Sequence, residues 1–137
     1  MSYELTETQI EKEIYRIIKS SVIAETIEGT LYRKGTRPAN AKTEDAVVAF
    51  LTGLDGQFQT GVVLLNIYVP MTKNSTSDKI KDIARVETLE VAVKEFFESC
   101  EDPNWLLEKD GTPYSEDLEE IGQTRINVRI RYSITTF

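Results

Sequence analysis

The stretch Arg125–Ile134, RINVRIRYSI, alternates apolar Ile126, Val128, Ile130, Tyr132 and Ile134 with Arg125, Asn127, Arg129, Arg131 and Ser133. Successive side chains of a strand point to opposite faces, so this period of two is the pattern of a half-buried β-strand. One face belongs to a core, and the other carries three arginines. Arg129 and Arg131, two residues apart, project from that face within about 7 Å of each other. Such a stripe suits bidentate pairing with carboxylates of another subunit, and it equally suits a charged guard that discourages edge-to-edge association.

Working upstream, Gln59–Val69 reads as a strand stopped by Pro70, with Val62 and Leu64 on one face and Val63, Leu65, Ile67 and Val69 on the other. Apolar residues on both faces imply a central strand, or one face closed by a partner subunit. Ala46–Thr52 is a second strand, joined to it through the turn signal Asp55-Gly56. A shorter strand is expected within Glu28–Lys34, ended by Gly35. Two helices flank this set. Thr6 and Gln9 match a capping box, and Ile10, Ile14, Ile17 and Ile18 follow at helical spacing, predicting a helix over Thr6–Ser21. Ile80, Ile83, Val86, Val93, Phe96 and Phe97 predict a second over Asp78–Ser99, left at Asp102-Pro103. Pro103–Glu120 reads as an irregular, acid-rich stretch pinned by Trp105-Leu106-Leu107. The expected order is helix, three strands, helix, strand. This is an α+β domain over residues 1–137, with a mainly antiparallel four-stranded sheet and two helices on one face.

Between the first two strands lies Arg33–Asp45, RKGTRPANAKTED, far longer than a hairpin turn. Arg37-Pro38 favours extended backbone before the proline, and the segment changes sign from Lys42 to Glu44-Asp45. Long connections are more often functional than accidental. Arg37, Pro38, Lys42, Glu44 and Asp45 therefore join Arg125, Arg129 and Arg131 as candidate interface residues.

The chain of 137 residues has a net charge of −7, no histidine and one cysteine. The commonest general base and metal ligand are thus missing, and Cys/His zinc sites are excluded. No glycine-rich phosphate loop is present, and no catalytic, cofactor-binding or metal-binding set is assigned. The negative charge speaks against specific nucleic-acid binding, which rewards clustered Lys and Arg. The longest apolar run, Val62–Leu65, cannot span a bilayer. Met1–Glu7 lacks the basic and apolar regions of a secretory signal, so the expected setting is the cytoplasm.

The run Gly29-Thr30-Leu31-Tyr32-Arg33-Lys34-Gly35-Thr36-Arg37-Pro38, then Glu44-Asp45 opening a strand, then Gln59 and a strand ending Asn66-Ile67-Tyr68-Val69-Pro70, resembles small proteins of bacteriophage and prophage tail modules. The element order is similar to that of tail-terminator, or tail-completion, proteins. The resemblance implies a non-catalytic virion protein, located in the tail or neck and assembled in the host cytoplasm. It implies a homo-oligomeric ring, commonly hexameric, that caps the tail tube and joins it to the head connector. Long loops of such proteins reach neighbouring subunits, which would give Arg37–Asp45 a role in ring contacts. Two other readings stay open. One is a non-enzymatic dimeric binding or adaptor module, and the other an acid-dependent metal enzyme using Glu44, Asp45 and the Glu116–Glu120 cluster.

Overall fold

The computed structural model describes residues 4–55, 58–77 and 79–135. Helix α1 (Glu7–Lys19) begins as expected. The Thr6 hydroxyl accepts from the Gln9 N–H and the Gln9 side chain accepts from the Thr6 N–H. It buries Ile10, Ile14 and Ile18. The expected helix does not run through to Ser21. Ser21 turns its hydroxyl to the Ile18 carbonyl and caps a separate short helix, α2 (Val22–Thr26). Serine competes in this way with helical backbone bonds and favours caps over helix interiors.

Strand β1 (Leu31–Arg33) runs parallel to β2 (Asp45–Leu54), with Leu31 opposite Ala46 and Arg33 opposite Val48. This explains the long connection of residues 34–44. Parallel neighbours cannot be closed by a tight turn, because the chain must return to the same end of the sheet. Strand β3 (Phe58–Pro70) is antiparallel to β2 on one side and to β6 (Gln123–Thr135) on the other. The turn signal Asp55-Gly56 lies partly outside the described residues, as does Asp78.

Helix α3 (Ile83–Ser99) starts later than its periodicity predicts. Thr72 and Ile80 exchange backbone hydrogen bonds of 2.7 and 2.9 Å in an isolated antiparallel bridge ahead of the helix. Asp82 then caps the helix by accepting from the Arg85 N–H. The stretch Pro103–Glu120 is likewise not irregular. It forms β4 (Trp105–Lys109) and β5 (Tyr114–Leu118), followed by a 3-10 turn at Glu119–Ile121. Both strands pair with the same edge of β6, β4 along Ile130–Ile134 and β5 along Gln123–Asn127. A thirteen-residue strand cannot leave one edge of N–H and C=O groups unpaired at no cost, and these two segments satisfy it despite their weak periodicity.

The sheet among the described residues therefore has six strands and is mixed rather than four-stranded and antiparallel, ordered β1-β2-β3-β6-β4 with β5 also on β6. The α+β class holds, with three α-helices among the described residues. Register fixes which residues share a face. Rows such as Ala46–Ile67–Ile126 and Val48–Leu65–Val128 are buried with α1 and α3 in one core. A further core-side row, Gly53–Gly61–Tyr132–Leu107, is shaped by the tyrosine. Its ring lies across the two glycines, and a methyl on either would collide with its hydroxyl. Trp105 packs on the same ring at 5.9 Å.

Candidate interaction face

The alternate rows form the opposite face of the sheet, and none of the three helices covers it. Reading across β2, β3, β6 and the edge strands, they are Asp45–Tyr68–Arg125–Glu116, Val47–Asn66–Asn127–Tyr114, Ala49–Leu64–Arg129 and Thr52–Val62–Arg131–Glu108. Residues directly opposite on neighbouring strands are the contact unit of a sheet. The rows thus set a short apolar band, Val47, Ala49, Val62 and Leu64, beside the arginine stripe of β6. Asn127 donates to Asn66 at 3.0 Å across the middle.

The first row ends under the connector. Arg37 lies over the Tyr68 ring, 4.2 Å from its centroid. It donates to Asp45 Oδ2 at 3.2 Å, to the Thr43 carbonyl at 3.2 Å and to Gln123 Oε1 at 3.3 Å. Asp45 also accepts from the Thr43 hydroxyl at 2.6 Å and the Thr30 N–H at 2.8 Å. Burial alone would push the Asp45 carboxyl up. The hydrogen bonds from Thr43, Thr30 and Arg37 outweigh it and hold the group below the ordinary aspartate value. Beyond Tyr68, Arg125 pairs with Glu116, which raises the guanidinium above its usual range with help from the Tyr68 hydroxyl.

Glu44 points the other way, as the neighbour of Asp45 on an extended chain must. Its carboxylate takes two prongs of Arg85 from α3 and the Glu28 N–H. Glu44 and Asp45 together anchor the return of the connector into β2, each with its own arginine. Lys42 and Pro38 are exposed on its surface. Arg129 reaches Asp110 at 3.1 Å, in the connection between β4 and β5, and both partners are partly exposed. Arg131 is exposed and forms no ion pair among the described residues.

The fold thus brings Arg37, Asp45 and Arg125 together around Tyr68. It keeps Arg129 and Arg131 further along the same face and sends Glu44 to the helical side. Glu44 and Asp45 do not converge on one point. Among the described residues no three His, Cys, Asp or Glu side chains gather to hold a metal, and no helix is long and apolar enough to cross a membrane. Tyr68 and Arg85 carry no signal of their own in the sequence. Tyr68 could have been placed on the arginine face only by its parity with Leu64, once the β3–β6 register was known.

No family model matches the sequence, and no curated protein matches it.

Proposed function

We propose that this chain is a non-catalytic virion protein of the tail-terminator kind, whose copies close into a ring at the head-proximal end of a tail tube. The observation that carries the reading is the uncovered sheet face. A two-layer domain needs its sheet covered on both sides only where both carry apolar residues, and here β3 does so with helices on one side alone. On the other side Val62 is buried and Val47, Ala49 and Leu64 are half-buried, beside exposed Arg129 and Arg131. An apolar patch rimmed by charge is the usual composition of a protein contact surface. The resemblance of Gly29–Pro70 to tail-module proteins supports the class, and the tail tube and head connector are the partners it proposes.

The test is light scattering on the purified chain over a range of concentrations, with negative-stain microscopy, alone and with tail-tube subunits. Closed rings, alone or on tubes, are the expected result. A strict monomer without affinity for tail-tube subunits would contradict the reading. A closed dimer, three times lighter than a hexamer, would favour an adaptor module instead.

A further inference from the structure

The outer edge of β2 is closed over only part of its length. β1 lies opposite residues 46–48, and no described strand pairs with that edge beyond Val48. Ala46 donates its N–H to the Thr30 carbonyl at 3.1 Å, and the Val48 carbonyl accepts from the Lys34 N–H at 2.9 Å. These positions turn their backbone groups outward, and Phe50 is the next in the same phase. Leu51 is then an extra residue at the register shift between Phe50 and Thr52. β3 runs past it unbroken, so Thr52 and Leu54, opposite Val62 and Thr60, bond inward as Ala49 does opposite Leu64. Gly53 therefore turns its N–H and C=O outward.

This open stretch is accessible, since Leu51, Thr52, Gly53 and Leu54 are all exposed. It is also unguarded. Sheet edges are commonly protected by charge or proline that deters a second chain. β4 ends in Glu108-Lys109 and β5 carries Glu116-Asp117, whereas residues 46–54 include no charged residue and no proline. The bulge at Leu51 twists the edge but supplies no partner for its backbone groups.

We propose that the open edge of β2, residues 50–54, takes an extended segment of a partner protein as an added strand. A row of unpaired N–H and C=O groups at strand spacing is matched by another extended backbone, with side chains setting the preference. The residue that falls beside Leu54 on the uncovered face is apolar, as is one beside Phe50 on the helix side, and the edge asks for no charge. A second folded copy is a poorer occupant. So short a run falls far below the roughly 20–30 residues a side that a stable contact between folded proteins takes, yet it suffices for a flexible segment that adds a strand. The proposal goes beyond the ring reading and does not rest on it.

The experiment follows amide hydrogen exchange of the full chain, residue by residue. The probes are short acetylated peptides alternating valine and threonine, and the controls are the same peptides N-methylated on alternate amides. In the free chain the Gly53 N–H should exchange far faster than the Ala46 N–H, which the Thr30 carbonyl holds. The unmethylated peptides should slow exchange at Phe50 and Gly53 by more than about tenfold, and the methylated ones should not. Leu51→Lys/Leu54→Lys, which puts guard charges at exposed positions, should keep the wild-type melting temperature and lose the peptide effect. No slowing by any peptide, equal slowing by the methylated controls, or undiminished slowing in the lysine variant overturns the proposal. Gly53 exchange that slows with protein concentration in the absence of peptide overturns it in favour of two copies pairing edge to edge.

Discussion

Arg85 grips Glu44 with two prongs, Nε and Nη2 each 2.7 Å from a different carboxylate oxygen, and the same Nη2 also reaches the Thr26 carbonyl. One side chain of α3 therefore fastens the end of α2 and the start of β2. Glu44 is 4% exposed, and its pairing with Arg85 is what raises the guanidinium. Removing the arginine strands a buried carboxylate, and losses of this kind run to about 3–5 kcal/mol. Arg85→Ala should lower the urea midpoint accordingly. A loss below about 1 kcal/mol would show that the pair is not load-sharing between these elements.

Arg37 is predicted to behave differently. The Asp45 carboxylate, buried like that of Glu44, keeps two hydrogen bonds when Arg37 is gone, from the Thr43 hydroxyl and the Thr30 N–H, whereas Glu44 without Arg85 keeps one, from the Glu28 N–H. Arg37→Ala should cost about 1.5–3 kcal/mol, the range for a hydrogen bond to a charged group, while freeing the connector from Tyr68. Limited proteolysis should then cut within residues 34–42 several-fold faster than in the wild type. An unchanged cleavage rate would mean that Arg37 does not hold the connector down.

The acid dependence of stability has a defined sign. Asp45 and Asp102 are both held below the ordinary aspartate value against a desolvation that pushes the other way. For Asp45 the hydrogen bonds come from Thr43, Thr30 and Arg37, and for Asp102 from the Asn104 N–H, Arg16 and the Trp105 N–H. A depressed carboxylate contributes stability that is present above its unfolded pKa, about 3.9 for aspartate. That contribution is lost as pH falls through the lower folded value. Urea midpoints should be flat in this contribution from pH 7 to about 5 and then fall, and Asp45→Asn should flatten the acid limb. An acid limb equally steep in the variant would remove Asp45 from the account.

The Tyr132 row makes two opposite predictions. The hydroxyl is buried without a hydrogen-bond partner among the described residues, and burial raises its pKa, with Asp55 adding to the effect. Tyr132→Phe removes an unsatisfied polar group and should leave stability unchanged or higher. Gly61→Ala drives a methyl into that hydroxyl and the Thr52 carbonyl, and overpacking of this kind costs about 1–3 kcal/mol. Thermal melts of the two variants should move in opposite directions or differ by that margin.

Much of the architecture was legible because its signals are local. The period of two in Arg125–Ile134, the two-sided run in β3 and the Thr6–Gln9 box each act within a few residues, and all three elements form. What escaped depends on distant partners. Trp105–Lys109 and Tyr114–Leu118 become strands because β6 offers them an edge, not because their own pattern alternates. The parallel pairing of β1 with β2 has no signature in three residues. At the candidate face, the common side of Arg125, Arg129 and Arg131 followed from parity alone. The ion pairs to Glu116 and Asp110 did not, and neither did the Glu44–Arg85 grip, whose partners lie 41 residues apart.

Native mass spectrometry of the purified full chain, alone and with tail-tube subunits, tests the central claim most directly. The ring reading predicts one discrete closed multiple of the 15.6 kDa protomer, alone or on the tube. Protomer mass under both conditions would contradict it.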